Sequence, residues 1–226
     1  ADENMREFSR VGPYPTVVPK PVAKALSLLP QPAAELNARL KRNLDATLVY
    51  HSYFHTIDVI NESLKLANEA GLNDRDISLI TMAALGHDAG FMTHRNDNER
   101  IGAKMTETAM KLSKHYNTEE IETVVQMIID TKLISEGPAQ VSSTRLSPFL
   151  LDADLSNLGR NVFWSQTRAV AAELDIEFAD FTSITAKLME RHDWQSDVGD
   201  RLYGVQKKKN YEELRTSLSK AESYWS

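Results

Sequence analysis

The chain has 226 residues, of which 42% are hydrophobic and 26% are charged, and its net charge is −6. This length suits one hydrophobic core, and the acidic balance argues against the broad basic surface that polymeric DNA or RNA requires. No apolar run approaches the roughly 20 residues that span a bilayer, and there is no cysteine, so we expect a cytoplasmic protein without membrane insertion, whose metal ligands would be nitrogen and oxygen.

Proline dominates the N-terminal segment. Six of the eight prolines fall within residues 1–32, and proline cannot donate the backbone hydrogen bond that a helix interior needs. We therefore predict an extended, Pro-rich arm with one short helix over residues 1–32, followed by a single helical domain over residues 33–226.

From residue 33 onward, apolar residues recur at helical spacing. The clearest apolar faces are formed by Ile57, Ile60, Leu64 and Ala67, by Ile77, Ile80 and Ala84, and by Ile121, Val124, Val125 and Ile128. Three amphipathic helices need a common core. No stretch alternates between apolar and polar residues for long enough to predict a strand, so the predicted fold class is all-α.

Local signals predict several helix boundaries. Gly71 is typical of a helix end, and Asn73 is typical of the next helix start. Asn117, three residues before a glutamate, predicts a capping box, and Ser147 before a proline predicts an N-cap. Residues 133–146 are rich in serine and contain Gly and Pro, so we predict a loop there.

Imidazoles and carboxylates interrupt these apolar faces. His51 and His55 are four residues apart, which on a helix places both rings on the same side, one turn apart. A second apolar face continues at helical spacing into His87 and Asp88, and Asp154 interrupts a later face of leucines. Because burying an unpaired carboxylate costs energy, a metal ion that binds these groups would explain the pattern.

Three segments, in this order, resemble the signature of the HD superfamily of metal-dependent phosphohydrolases. They are residues 50–59 (YHSYFHTIDV), residues 86–90 (GHDAG) and residues 152–158 (DADLSNL). The resemblance covers residues 45–160 and is nearest to the branch that includes the cyclic-nucleotide phosphodiesterases. It implies that the helices form a single HD-type bundle.

The resemblance also implies roles for individual residues. It makes His55, His87, Asp88 and Asp154 the metal ligands, and it makes His51 the general acid that protonates the leaving oxygen. The implied reaction is hydrolysis of a small phosphodiester or phosphomonoester, such as a nucleotide, by attack of metal-bound water near Asp88. Mixed nitrogen and oxygen ligands do not distinguish Mn, Mg, Fe, Ni, Co and Zn.

Other residues near the motifs have two interpretations each. Glu99 is at a position that often supports the metal site in the family, and it is also a typical solvent-facing helix residue. Asp152 is interpreted as a neighbour of the ligands or as an exposed helix residue, and His94 as a surface residue or a reserve ligand. The cations near the motifs, which would either neutralise phosphate or lie on the surface, are Arg95, Lys132 and Arg160.

The chain departs from the pattern of many two-metal HD proteins. Those proteins have an additional histidine at the position of Asn98 and another near residues 130–132, and both are missing here. The departure puts a histidine-supported dinuclear centre in doubt. Two alternatives to hydrolysis stay open, namely an HD module that senses a nucleotide without turnover and an iron-dependent oxygenase.

Overall fold

The computed structural model describes residues 17–44 and 48–223. Within these ranges the chain forms ten α-helices and no strand, which confirms the all-α prediction. The helices are α1 (Lys20–Ser27), α2 (Ala33–Asn43), α3 (Tyr53–Glu69), α4 (Asp74–Gly86), α5 (Asn98–Ser113), α6 (Thr118–Asp130), α7 (Ser147–Asp154), α8 (Phe163–Glu173), α9 (Phe178–Arg191) and α10 (Asp197–Ser223). Two short 3₁₀ turns, Ala89–Met92 and Ser156–Gly159, follow α4 and α7.

The main core lies where α3, α4, α6 and α7 meet. The apolar faces predicted from the periodicity lie there, with Ile60, Ile80, Val124 and Ile128 fully buried. Each such side chain contributes about 1.5 to 3 kcal/mol by leaving water. Because the inward faces of α3, α4 and α7 are anchored in this way, polar residues at the ends of the same faces are held close together.

Most predicted helix boundaries are confirmed. Gly71 follows α3 with a φ of +68°, a conformation that glycine adopts without a steric penalty. The Asn73 side chain accepts a hydrogen bond from the backbone N–H of Asp76, and the capping box at Asn117 is present. The N-cap prediction for Ser147 is wrong, because Ser147 is already helical and its hydroxyl donates to Asp130 on α6.

The predicted short helix in the N-terminal segment is α1. Its Val22 side chain is fully buried in the main core, so α1 packs as part of the bundle against α3. Residues 1–16 of the predicted arm lie outside the described residues.

The C-terminal helices α8, α9 and α10 surround a smaller core. Phe163 and Leu214 are fully buried there. The 27-residue helix α10 also joins the two cores, because the Tyr203 hydroxyl donates to Glu62 on α3 at 2.6 Å. Over the described residues, no helix combines the length and the hydropathy that crossing a bilayer would need.

Helix α5 crosses the end of α4 at very short range. A Cβ atom added to Gly102 would lie 2.6 Å from the carbonyl oxygen of Gly86 and 3.3 Å from that of His87. These distances are too short for any side chain, so only glycine lets α5 approach. The contact supports the turn that carries the two central residues of the candidate site.

Candidate metal centre

The four predicted ligands come from three separate places in the fold and meet at one point. His55 lies in the first turn of α3, His87 and Asp88 directly follow α4, and Asp154 ends α7. His87 Nε2 lies 3.1 Å from Asp88 Oδ2 and 3.4 Å from Asp154 Oδ1. His55 Nε2 lies 3.2 Å and 3.8 Å from the same two oxygens. The predicted set is therefore assembled in space.

The spacing of these atoms fits a divalent ion. Ligand atoms about 2.1 Å from one ion lie about 3.0 Å apart at octahedral angles and about 3.4 Å apart at tetrahedral angles. Nε2 of His87 and Oδ2 of Asp88 are also buried and make no well-aligned hydrogen bond, which is costly unless another group completes their coordination. One possible ligand atom from each of His55, His87 and Asp154 lies within 4.8 Å of the other two, which is close enough for a common metal ion.

The orientation of His87 is set by the backbone. Its Nδ1 lies 2.6 Å from the carbonyl oxygen of Ala84. Because a carbonyl can only accept, Nδ1 carries the proton and Nε2 is the nitrogen that faces the carboxylates. This arrangement is common for histidines that bind metals.

Burial and neighbouring charges shift the pKa of each member of the cluster. Burial would lower the pKa of His55, but the adjacent carboxylates of Asp154 and Asp88 outweigh burial and raise the pKa to about 9. Burial would also lower the pKa of His87, but the carboxylates of Asp88 and Asp154 together outweigh burial and raise this pKa well above its ordinary value. Burial would raise the pKa of Asp154, yet the two imidazoles lower it to about 2. Without an ion, two imidazolium groups therefore balance two carboxylates.

His51 lies beside this cluster but not on the predicted helix. Helix α3 starts at Tyr53, with Ser52 as its N-cap, so His51 precedes the helix and the prediction of one continuous turn is wrong. The His51 and His55 rings are nevertheless 5.8 Å apart, and His51 stacks on Phe91 at 4.2 Å. A loop and an aromatic contact thus hold the ring where a helix was expected.

Glu173, the last residue of α8, contacts both the ring and the backbone of His51. One carboxylate oxygen lies 2.5 Å from His51 Nδ1, and the other accepts hydrogen bonds from the backbone N–H groups of Tyr50 and His51. Burial would raise the pKa of Glu173, but the hydrogen bond and charge of His51 lower it to about 2. Glu173 also forms an ion pair with Arg95 at 3.2 Å. The carboxylate is therefore ionised and fixes the imidazole.

Sequence reasoning missed Glu173. It is separated from His51 by 122 residues and ends an ordinary amphipathic helix, so no spacing or motif in this chain marks it. Only the packing of α8 against the segment before α3 reveals the pair.

A cavity of about 350 Å³ opens from the cluster toward α8 and α9. At its polar end it is lined by His51, Asp88, Glu99 and Asp154. Its far side is apolar, so the cavity presents a candidate metal centre to one end of a bound molecule and a hydrophobic surface to the other.

The remaining predicted residues near the cluster differ in position. Glu99 lines the cavity, and burial together with the charge of Asp88 raises its pKa, whereas the charge of Lys132 opposes this shift. Lys132 itself is exposed and does not line the cavity. His94 is likewise exposed and outside the cavity lining, so the structure does not bring this reserve ligand to the cluster.

Asp152 and Arg160 lie in other clusters. Asp152 is fully buried and not an exposed helix residue, and its carboxylate accepts hydrogen bonds from the backbone N–H groups of Gln195 and Ser196, just before α10. The two guanidinium nitrogens of Arg160 donate to Asp58 at 2.8 and 3.0 Å. Arg160 is therefore engaged in holding α3, and the interpretation that it neutralises phosphate is not supported by its position.

Asn98 and Asp130, at or near the positions of the missing histidines, are both buried. The Asp130 carboxylate accepts hydrogen bonds from the Ser143 and Ser147 hydroxyls at 2.8 and 2.7 Å. Asp130 therefore anchors the loop that precedes α7.

Comparisons with known proteins show a shared fold. Neither the family models nor the curated protein sequences include a match to this chain. The structure of YpgQ from Bacillus subtilis, solved in complex with ADP, is similar with a TM-score of 0.56 and 13% identity, covering 83% of this chain and 96% of that one. A structural-genomics target from Lactobacillus plantarum is similar with a TM-score of 0.61 and 12% identity, covering 92% and 100%. At these identities the likeness shows that the chain has the same helical architecture as both proteins.

Proposed function

We propose that this protein is an HD-superfamily hydrolase that uses a divalent metal ion to cleave a phosphoester. The proposal depends on one observation, the convergence of His55, His87, Asp88 and Asp154 at one end of a cavity, beside His51. Two imidazoles and two carboxylates form a typical ligand set for Mn, Fe, Co, Ni or Zn, and Mg would rely more on the oxygens. The absence of cysteine is consistent with a cytoplasmic location, which is part of the proposal.

A divalent ion at this site would lower the pKa of water and polarise the phosphoryl oxygens. The side chains of the protein would supply and orient the proton for the leaving group. The water would lose one proton to solvent as its oxygen bonds to phosphorus, and the bond from phosphorus to the leaving oxygen would break. His51 would give its proton to that oxygen and regain one from solvent. The carboxylate of Glu173 at Nδ1 leaves Nε2 as the ring nitrogen that delivers the proton. Phe91 restricts the ring by stacking.

The comparison with YpgQ supports nucleotides as one substrate group to test, because that protein was solved with ADP. The shared fold alone does not define a substrate, since one fold serves many reactions.

The decisive experiment combines metal analysis with a substrate screen. The purified protein would be analysed for bound metals and assayed with Mn, Mg, Fe, Ni, Co or Zn against a panel of phosphodiesters, phosphomonoesters and nucleotides. The Asp88→Ala variant should lose both metal and activity, whereas His51→Ala should keep the metal and turn over at least about 100-fold more slowly. His94→Ala is the matched control, because it removes an exposed histidine that lies outside the cavity.

Each result would have a clear meaning. Metal-dependent cleavage that fails in Asp88→Ala but not in His94→Ala supports the proposal. Metal binding without cleavage of any phosphoester contradicts it and favours a module that binds its ligand without turnover. Oxygen consumption with bound iron would favour the oxygenase chemistry instead.

A further inference from the structure

The cavity beside the metal centre has a continuous apolar wall built by the hairpin of α8 and α9. The wall consists of Val170, Leu174, Phe181, Ile184 and Leu188. Two of these residues remain accessible to solvent, since Leu174 is 39% exposed and Ile184 is 51% exposed. Leu133 lines the same cavity and is 49% exposed. Apolar side chains that are left in water around one cavity are typical of a ligand site.

The charge of the same cavity is one-sided. Among the described residues that line it, the ionisable groups apart from the Tyr50 phenol are His51, Asp88, Glu99 and Asp154, and none is a lysine or arginine. A divalent ion would balance the two aspartates. The half-buried Glu99 adds a third carboxylate to the lining, and the charge of the exposed Lys132 acts on it from outside the cavity. Arg95 is the cation next to His51 and Glu173, but it is paired with Glu173 at 3.2 Å and does not line the cavity.

These features limit the kind of phosphoester that fits. A second or third phosphate group would need cationic partners, because proteins bind polyphosphates with arginine, lysine or additional metal ions. The cavity offers instead a hydrophobic surface within a volume of about 350 Å³. An uncharged aromatic or aliphatic group on the substrate would bury apolar area against this wall.

We infer that the substrate carries a single phosphoryl group, held at the metal centre, and an uncharged apolar substituent that packs on the wall of α8 and α9. The inference deepens the proposed function and depends on it. It assigns specificity to residues that belong to none of the sequence motifs. It also sets this cavity apart from one built for a nucleoside triphosphate.

The first test compares two phosphodiesters that share a leaving group. Methyl 4-nitrophenyl phosphate and phenyl 4-nitrophenyl phosphate would be assayed with the metal-loaded protein, with ATP hydrolysis followed under the same conditions. Burial of the phenyl ring predicts that kcat/KM for the phenyl ester exceeds that for the methyl ester by about 10-fold or more. ATP should be cleaved less efficiently than the phenyl ester.

A variant pair links the preference to the wall. Ile184→Asp places a charge in the apolar part of the cavity, and the ratio between the phenyl and methyl esters should fall to near one. Val205→Asp is the matched control, because Val205 is 84% exposed on α10 and does not line the cavity. This control should keep the ratio of the unmodified protein. Metal content, measured for both variants, separates loss of preference from loss of the site.

Binding without turnover distinguishes failure of this inference from failure of the proposed function. Calorimetry with phenylphosphonate and methylphosphonate reports the affinity of the metal-loaded protein for the apolar group alone. If phenylphosphonate binds at least about 10-fold more tightly while no ester is hydrolysed, the inference on ligand class stands and the hydrolase proposal fails. If esters are hydrolysed but the methyl and phenyl compounds behave alike, or ATP is preferred, the inference is wrong. Failure to bind either phosphonate overturns it as well.

Discussion

Binding of a divalent ion at the candidate centre should release protons. Neutral imidazole binds a metal, whereas imidazolium does not, so each protonated histidine must give up its proton. In the metal-free protein the carboxylates raise the pKa of His55 to about 9 and that of His87 in the same direction. Both rings are therefore in the imidazolium form at pH 7.

The structure sets the size of this effect. With a pKa of about 9, His55 is about 99% protonated at pH 7. His55 therefore releases about one proton for each ion bound, and His87, whose pKa is raised in the same direction, adds to this release. The apparent affinity consequently rises by more than about 10-fold per pH unit at pH values below the pKa of His55. Asp88 and Asp154 add no proton, because both are already ionised.

Isothermal titration calorimetry checks this directly. Mn²⁺ would be titrated into the metal-free protein at pH 7 in buffers with different ionisation enthalpies, and the slope of the observed enthalpy against that of the buffer gives the number of protons. His94→Ala should release the same number as the unmodified protein. A value near zero would refute the reasoning, since it would mean that the imidazoles are already neutral in the metal-free protein.

Four further outcomes are expected. Glu173→Gln should lower kcat by about 10- to 100-fold with unchanged metal content, because the proposed general acid His51 loses the carboxylate at its Nδ1. An unchanged kcat would contradict a role of Glu173 in positioning His51. Asp154→Asn should lose bound metal in elemental analysis, whereas Asp152→Asn should keep it. Asp152→Asn should instead lower the unfolding free energy in urea by about 1 to 3 kcal/mol, because the buried Asp152 carboxylate accepts three hydrogen bonds. Gly102→Ala should lower the unfolding free energy by about 1 to 3 kcal/mol and weaken metal binding, because the added Cβ would collide with the end of α4. An unchanged unfolding free energy would contradict the close approach of α5 to α4. The metal-free protein should lose about 3 kcal/mol of unfolding free energy between pH 6.5 and 9. The buried ring of His55 keeps its second proton in the folded state up to a pKa of about 9, whereas the unfolded chain loses it near pH 6.5. Urea denaturation at several pH values in this range would show whether the unfolding free energy falls as the pH rises.

The sequence alone determined the helices and the set of candidate ligands. Periodic residues such as Ile60, Ile80 and Val124 mark inward faces, and Asn73 and Asn117 cap helices, because these effects act within one or two turns of the chain. The ordered motifs singled out the histidines and aspartates that the structure brings together. Such information is local, so it can be read without coordinates.

Two local predictions failed for local reasons. His51 was expected on the same helix as His55, but Ser52 caps α3 and the chain is already extended at the cap. Ser147 was expected to cap α7, but the Thr144 hydroxyl accepts the backbone N–H of Ser147, and Ser147 donates to Asp130 instead. In both cases the side chain that accepts the free backbone N–H groups decides where the helix begins.

Only the tertiary structure decided how the candidate site is completed. Asp152 and Asp154 are two residues apart, yet the first faces the start of α10 and the second faces the histidines, because successive helical residues point in different directions. Glu173 and the wall containing Ile184 reach the site through the packing of α8 and α9, more than 120 residues beyond His51. Contacts between residues so distant along the chain leave no periodic trace in the sequence, since they depend on how whole helices pack.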